Sequence, residues 1–408
     1  MTGKIIWRNA WQKPLSTTLS LVLLTFGTGI IAMILVLNQR VTEKFNNDLE
    51  NIDLVVGAKG SPLQLVLSAV YQVDAPTGNI SLEEAQKVMH YPLVEQAIPL
   101  AYGDSYQSYR IVGTDRQYLE KYHAALAQGR VFDTVMEAVI GSAAAQATGL
   151  KLGAEFLGTH GLGATGHVHK EFVYKVTGIL QPTGTVLDQL VLTNIETVWH
   201  IHAHKDDDGD EEEAPAGAAN AGVANHPETQ LTALLVKLRS PMALFTMPRI
   251  INETTNMQAA SPTLEMNRLF SLLGVGVTTL QVVAFAIMLL AGLSVFIALY
   301  QRLQERRYEL ALARAMGCSR LRLFILVLAE GLLLAVVGYA AGIVLCHTGL
   351  YWLQQTGRRS MHLALQPWRF TAGETWLLLL TLGVGLIAAL LPAAKAFYLN
   401  ISKTLSHD

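Results

Sequence analysis

The sequence predicts an α-helical membrane protein with four transmembrane helices and an α+β extracytoplasmic domain inserted between helices 1 and 2. Three observations support this fold class. The chain is 51% hydrophobic and only 15% charged, whereas soluble domains carry about 25% charged residues. Its apolar residues gather into long blocks near both ends of the 408 residues. Basic residues flank these blocks asymmetrically, which indicates a defined orientation in a membrane.

Four segments provide the roughly 20 apolar residues that a helix needs to cross ~30 Å of hydrocarbon. The chain is thereby divided into 1–37 (N-terminal elbow and first span), 38–268 (outer domain with stalk helices), 269–300 (second span), 301–322 (cytoplasmic loop), 323–345 (third span), 346–374 (short outer loop) and 375–408 (fourth span and tail). The first apolar stretch is longer than that of a signal peptide and no small-residue cleavage site follows it, so we expect it to be retained.

Lysine and arginine are concentrated on one side of these spans. Six arginines lie between the second and third spans: Arg302, Arg306, Arg307, Arg314, Arg320 and Arg322. Others flank the first and fourth spans on the side of the termini: Lys4, Arg8, Lys13, Lys395 and Lys403. Since cytoplasmic loops carry an excess of Lys and Arg, both termini and the Arg-rich loop are predicted to be cytoplasmic. Residues 38–268 are predicted to lie outside. The net charge of −2 gives no reason to expect a nucleic-acid partner.

The outer domain has segments of both strand and helix character. The predicted strands are 52–56, 105–112, 171–179 and 230–238, and the predicted helices are 38–50, 81–90, 135–148 and 242–268. Ser81 and Glu84 have the Ser-x-x-Glu spacing of a capping box at a helix start. The glycine-rich segment 57–62 lacks the Gly-Lys-Ser/Thr ending of a phosphate-binding loop. This mixture of predicted strands and helices indicates an α+β domain that is held on two stalk helices.

Residues 205–228 form a low-complexity insert, in which an acidic run at 206–213 precedes Ala, Gly, Pro and Asn. This composition offers too few hydrophobic residues to build a core, so we expect a disordered loop.

Histidines cluster around this insert. The alternation His200-x-His202-x-His204 would place three imidazoles on one face of a strand, and His167-x-His169 would do the same elsewhere. Neutral imidazole binds zinc, copper and nickel, so these five histidines are candidate ligands of a divalent metal. The alternative is a solvated surface loop whose composition has drifted.

The remaining chemistry-bearing residues indicate no catalytic centre. Cys318 and Cys346 are too few for a disulfide framework or a thiolate metal site. No Walker motif and no catalytic triad are present in the sequence. Glu330 and His347 lie near the ends of spans, which is too few ionisable groups for a substrate or proton pathway. We expect Glu330 to pair with an arginine of the Arg-rich loop.

The Arg-rich loop contains a predicted amphipathic helix. Residues 305–316 have no Gly or Pro, Gly317 can end the helix in a left-handed cap, and Ser319 can cap the next helix. Two interpretations stay open at this point. The helix could lie on the membrane surface, anchored by lipid phosphates through its arginines, or it could be a docking helix that receives force from a cytoplasmic partner.

The loop resembles the signature of the FtsX-like/MacB-like permease family. The matching residues run from Glu305 to Leu310 and from Arg314 to Ser319, followed by the pair Glu330-Gly331. The C-terminal run 391–405 resembles the closing motif of the family, except that Ile401 stands where proline is usual. The opening Trp7-Arg8-Asn9-Ala10 with Lys13 resembles the N-terminal elbow of the family.

This resemblance implies a permease subunit of an ABC transporter that forms a homo- or heterodimer in the bacterial inner membrane. ATP and Mg²⁺ would be held by a separate cytoplasmic ATP-binding subunit, and this chain would bind no cofactor itself. Residues 303–317 would be the coupling helix. The residues that the resemblance assigns to coupling are Glu305, Arg306, Glu309, Arg314 and Gly317. ATP-driven movement of the spans would move the outer domain, a mechanism called mechanotransmission.

Three functions are compatible with such a permease. The first is export or extraction of a lipoprotein, peptide or drug, with a periplasmic adaptor or lipoprotein as a further partner. The second is an FtsX-like scaffold that regulates a periplasmic partner without moving a cargo. The third, motivated by the histidine cluster, is a metal-handling ABC system.

Overall fold

The computed structural model describes residues 14–159, 168–203, 229–357 and 370–398. The chain separates into two compact units. Among the described residues, the helical unit contains 14–41, 273–357 and 370–398, and the α/β unit contains 42–159, 168–203 and 229–272.

Eleven α-helices lie in the described residues. They are α1 (Pro14–Leu49), α2 (Pro62–Ala69), α3 (Leu82–Met89), α4 (Arg116–Lys121), α5 (Ser142–Thr148), α6 (Ile195–Ala203), α7 (Ala243–Thr254), α8 (Pro262–Glu305), α9 (Arg307–Ala315), α10 (Arg320–Gly357) and α11 (Ala372–Phe397). Four of these, α1, α8, α10 and α11, are long and apolar enough to cross a membrane. This agrees with the predicted number and order of the spans.

The strands belong to the α/β unit. They are β1 (Leu54–Ala58), β2 (Ile80–Ser81), β3 (Val94–Tyr106), β4 (Tyr109–Thr114), β5 (Leu126–Gly129), β6 (Glu137–Ile140), β7 (Glu155–Thr159), β8 (Val168–Leu180), β9 (Val191–Asn194), β10 (Gln230–Leu231), β11 (Ala233–Leu238) and β12 (Met257–Ala260). The main sheet has the order β12-β1-β11-β3-β4-β9-β6-β8-β5, with β7 paired to β3 and β8. The β4–β9 and β6–β8 pairs are parallel and the other pairs are antiparallel. The outer domain is therefore α+β, as predicted.

Large apolar side chains fill the core of the α/β unit on both faces of the sheet. One cluster contains Leu100 and Tyr118, a second contains Leu54 and Val236, and a third contains Ile140. Adjacent residues of β1 alternate between the first two clusters, since Val55 belongs to one and Leu54 to the other. This two-sided burial explains why the strand reads as a continuous apolar run rather than as an alternating one.

Glycines set the closest helix contacts in the helical unit. On α10, a Cβ added at Gly338 would lie 2.7 Å from the Cβ of Leu24, and one at Gly342 would lie 2.0 Å from Thr28 Oγ1. The Thr28 hydroxyl also donates to the Gly338 carbonyl at 3.3 Å. About two turns before Gly338 on the same helix, a Cβ at Gly331 would lie 2.5 Å from the Cβ of Ala389 on α11. Small residues therefore bring α10 against both α1 and α11, as is common between membrane helices.

Three local predictions are wrong in the α/β unit. Residues 105–112 form a hairpin rather than one strand, because Gln107 and Ser108 adopt positive φ angles of 48° and 73° between β3 and β4. Residues 135–148 are strand β6 followed by α5, since residues 138–140 are buried between β8 and β9. Residues 242–268 are interrupted by β12, which pairs with β1.

Candidate coupling site

A one-residue break at Arg306 separates α8 from the short helix α9. Arg306 joins them in a non-helical conformation, with φ −99° and ψ 15°. Its N–H donates to the Arg302 carbonyl at 3.1 Å, and its own carbonyl accepts from Leu310 N–H at 2.9 Å. The helix is therefore interrupted at Arg306 while both neighbouring turns keep their hydrogen bonds. The predicted helix 305–316 is divided here, because Glu305 is the last residue of α8.

The far end of α9 has the hydrogen bonds of a Schellman motif. Gly317 has φ +101°, Cys318 N–H donates to the Ala313 carbonyl at 3.0 Å, and Gly317 N–H donates to the Arg314 carbonyl at 3.1 Å. Ser319 Oγ then accepts from Arg322 N–H at 3.3 Å and caps α10. The predicted roles of Gly317 and Ser319 as helix boundaries are confirmed.

One face of α9 is buried in the helical unit. Leu310 and Ala311 are buried, and Leu310 packs in a cluster with residues of three other helices. That cluster consists of Leu303, Leu310, Leu323, Val327, Ala393 and Ala396. The opposite face is exposed and includes Tyr308 and Leu312. The helix is thus seated on the ends of α8, α10 and α11.

The residues predicted for coupling lie along this turn and helix. Arg306 Nε and Glu309 Oε2 form an ion pair at 3.0 Å, in which the Glu309 side chain is 66% exposed. Glu305 is exposed on α8, and Arg314 is half-buried in the last turn of α9. The structure brings Arg306 and Glu309 together, and it places Gly317 at the end of α9.

Arg302 was not among the predicted coupling residues, although the structure buries it beside them. It is 7% exposed, and its Nη2 donates to Thr17 Oγ1 on α1. Glu330 on α10, also buried, interacts electrostatically with the guanidinium. Among the six arginines of the predicted loop, Arg302 is thus one whose charge acts on the expected partner Glu330. The sequence signal that could have identified Arg302 is that it is a cationic residue at the end of a long apolar segment.

A second buried pair lies between α10 and α11. His347 Nε2 is 2.9 Å from Glu374 Oε1, and both side chains are almost fully buried. The second carboxylate oxygen of Glu374 accepts from Thr371 N–H at 2.7 Å. The backbone carbonyl of Glu374 accepts from the Tyr339 hydroxyl at 3.0 Å. His347 was singled out in the sequence, whereas its partner Glu374 was missed because it is 27 residues away along the chain.

The α/β unit holds its own buried cation close to the end of α1. Lys121 Nζ donates to the Asp48 carbonyl at 3.4 Å and lies 3.3 Å from the centroid of the Tyr122 ring. Asp48 Oδ1 accepts from Val186 N–H at 2.8 Å, and the Tyr122 hydroxyl donates to the Asp48 carbonyl at 3.0 Å. Burial lowers the pKa of Lys121 to about 7, although the Asp48 carboxylate opposes this shift.

The predicted histidine cluster does not lie on a strand. His200 is in α6, where residues two apart point about 200° away from each other. The prediction of three imidazoles on one strand face is therefore wrong. His200 contacts the Phe172 ring edge to face at 5.9 Å. The backbones of His202 and His169 lie in α6 and β8, whereas His167, His204 and the insert 205–228 lie outside the described residues. No group of three metal-ligating side chains occurs among the described residues.

Two known families match the chain. Residues 281–404 match the family described as FtsX-like permease C-terminal. Residues 17–244, more than half of the chain, match the MacB-like periplasmic core domain. The first match contains α9 and the helices around it, and the second contains most of the α/β unit.

Curated relatives are more distant. The pyoverdine export ATP-binding/permease protein PvdT of Pseudomonas savastanoi pv. phaseolicola (strain 1448A / Race 6) is 23% identical over 353 residues, which covers 83% of this chain and 50% of the relative. PvdT of Pseudomonas syringae pv. tomato (strain ATCC BAA-871 / DC3000) is 24% identical with the same coverage. The chain spans about half the length of these relatives.

Solved structures of two outer domains are also similar. The periplasmic region of MacB from Actinobacillus actinomycetemcomitans aligns with a TM-score of 0.35 and 10% identity, covering 54% of this chain and 95% of that one. The extracellular domain of the ABC-type transporter YknZ from Gram-positive bacteria aligns with a TM-score of 0.31 and 13% identity, covering 52% of this chain and 99% of that one. With the two family matches and the four apolar helices, this multi-pass membrane protein belongs to the FtsX-like and MacB-like family of ABC transporter permeases.

Proposed function

We propose that this permease works with a separate cytoplasmic subunit that holds ATP and Mg²⁺ and docks on α9. Hydrolysis by that subunit moves the helices of a homo- or heterodimer, and the movement drives export or extraction of a lipoprotein, peptide or drug on the outer side. The chain itself transfers force and hydrolyses nothing. Both termini and α9 lie in the cytoplasm in this scheme, and the α/β unit lies in the periplasm.

The seating of α9 is the observation that carries this proposal. Its inner residues Leu310 and Ala311 are buried, Leu310 among residues of α8, α10 and α11, while Tyr308 and Glu309 are exposed on the outside. A helix that lay only on lipid headgroups would keep its apolar face in the membrane surface. Because α9 is packed on three spanning helices, a push on its exposed face would be passed directly to them.

The interior of the helical unit supports a mechanical role. The buried ionisable groups described there, Arg302 with Glu330 and His347 with Glu374, form two pairs rather than a chain across the unit. Other buried polar side chains bond to carbonyls of their own helices, as Thr28 does to Leu24 and Thr381 to Leu377. Pathways for ions or protons usually require a series of inward-facing ionisable residues.

Charge reversal at Glu309 tests the docking. Co-expression of the full chain with its ATP-binding subunit should give a complex from solubilised membranes, and Glu309→Lys should release the subunit. The reason is that the substitution breaks the ion pair with Arg306 and reverses the charge offered to the partner. Glu253→Lys is a matched control, because Glu253 is similarly exposed and paired with Arg249 at 2.9 Å on α7. Capture of the subunit by E309K at the wild-type level would contradict docking on α9.

A further inference from the structure

Arg302 occupies the point where α8 turns into α9. Its carbonyl accepts from Arg306 N–H, the residue that forms the turn between the two helices. A displacement of α9 therefore acts directly on the backbone turn that contains Arg302.

The side chain of Arg302 reaches two further helices. Its Nη2 donates to Thr17 Oγ1 on α1, and Glu330 on α10 provides the neighbouring negative charge. The Nε and Nη1 atoms are buried and have no hydrogen-bond partner among the described residues. A buried guanidinium in this situation is stable only with a compensating charge close by. Arg302, Thr17 and Glu330 thus form one buried polar link among α8, α1 and α10.

Apolar packing joins α1 to α8 further along both helices, where Leu24 lies in one cluster with Val295 and Leu299. The cluster around Leu310 includes residues of α8, α9, α10 and α11 but none of α1. Nearer to Thr17, an apolar groove separates Leu15 and Leu19 of α1 from Leu293 and Ile297 of α8, and Ser20 Oγ lies 2.9 Å from Ser294 Oγ. Among these contacts between α1 and α8, the hydrogen bond from Arg302 to Thr17 is the one nearest to α9 along α8.

We infer that Arg302 is a positioning residue that makes α1 follow α8 and α9 when α9 is displaced. The inference rests on the proposed function, because it assigns a pathway to the force received at α9. Thr17 is the acceptor that transmits the movement to α1, and Glu330 holds the guanidinium in place.

The test uses the full chain in nanodiscs with its ATP-binding subunit, in a Cys318→Ser background. Spin labels on Asn38→Cys and Val275→Cys, both exposed, report the spacing of α1 and α8 far along each helix from Thr17 and Arg302. We expect ATP with vanadate to change this spacing in the wild type. Thr17→Val and Arg302→Lys should reduce the fraction of molecules that change by at least about five-fold. Thr17→Ser, which keeps the acceptor, should restore it.

Two controls separate this inference from the proposed function. Arg320→Lys, at an exposed arginine of α10, should behave as the wild type. Thr17→Val and Arg302→Lys should still capture the ATP-binding subunit and retain its basal hydrolysis, which excludes misfolding as the cause. If the wild type captures the subunit and changes spacing but T17V and R302K change equally, the role of Arg302 is wrong. If the wild type captures no subunit, the proposed function itself fails.

Discussion

The two units of this protein differ in how their helices and strands are packed. In the helical unit, Gly338 and Gly342 leave so little space that an added Cβ would lie 2.7 Å and 2.0 Å from α1 side-chain atoms. In the α/β unit, the fully buried residues include large side chains such as Tyr118, Tyr174 and Leu100. In the first unit, close glycine contacts accompany the apolar clusters between the helices. In the second unit, large side chains fill the core on both faces of the sheet.

The solvent explains this difference. Moving an apolar side chain from lipid into a helix contact gains little, so membrane helices associate through close backbone packing. Moving the same side chain out of water gains about 25 cal/mol per Å² of apolar surface, which favours large residues in the core. The comparison teaches that apolar residues stabilise the two units by different means.

The largest effect is expected from filling a helix contact. Gly342→Leu should prevent α10 from approaching α1, because its Cβ would also lie 3.0 Å from the Gly29 backbone nitrogen, which cannot rotate away. We expect a loss greater than the ~3 kcal/mol of a tolerated overpacking substitution, measured by thermal unfolding of the full chain in detergent. Gly349→Leu on the same helix, where nothing lies within 4 Å, is the control. Equal stability of the two variants would contradict close packing as the basis of the helical unit.

A smaller effect is expected from emptying the core of the α/β unit. Leu100→Ala removes a fully buried side chain from the cluster around Tyr118, and such truncations cost about 3 kcal/mol. Val73→Ala, at a residue 73% exposed, should have almost no effect. Denaturant unfolding of the full chain, followed by aromatic fluorescence, measures both. A negligible change for L100A would show that the size of core residues is not what stabilises this unit.

The effect that is smallest per pH unit concerns the buried cation of the α/β unit. Because burial lowers the pKa of Lys121 to about 7, the folded state loses this proton before the unfolded state does. Stability should therefore rise from pH 7 towards pH 10, by at most about 1.4 kcal/mol per pH unit. Below pH 7 both states are protonated, so the full cost of burying the charge is present.

Lys121→Met should flatten this pH dependence and stabilise the unit most below pH 7. Lys151→Met, at an exposed lysine, should keep the slope of the wild type. Melting temperatures of the full chain between pH 6.5 and 9.5 measure the slopes, a range chosen to bracket the pKa of about 7. If the melting temperature of K121M rises with pH as steeply as that of the wild type, Lys121 is not the source of the pH dependence.

Several features could be predicted from local sequence because their physics is local. The four spans follow from length and apolarity. Ser81 caps α3 by accepting from Glu84 N–H at 3.3 Å, and Gly317 adopts the left-handed conformation that a Schellman motif requires. The predicted strand at 171–179 lies within β8. Each of these depends on neighbours within a few residues.

The errors arise where distant residues decide the outcome. Residues 138–140 have an apolar pattern that suits a helix or a buried strand, and pairing with β8 and β9 selects the strand. His200 lies in α6 although its alternation with other histidines suggested a strand, because α6 packs on β3 and β4 as a helix. Local pattern cannot distinguish such states when tertiary contacts differ in energy by more than local propensity does.

The sequence alone determined the membrane spans, the mixed outer domain, the helix boundaries at Gly317 and Ser319, and the resemblance to the permease family. The tertiary structure decided that α9 is seated on three helices, that Arg302 reaches Thr17 and that His347 meets Glu374. Spans and caps depend on composition and on hydrogen bonds within a turn or two. Buried polar pairs depend on which helix faces come together, and that choice is made by contacts between residues far apart along the chain.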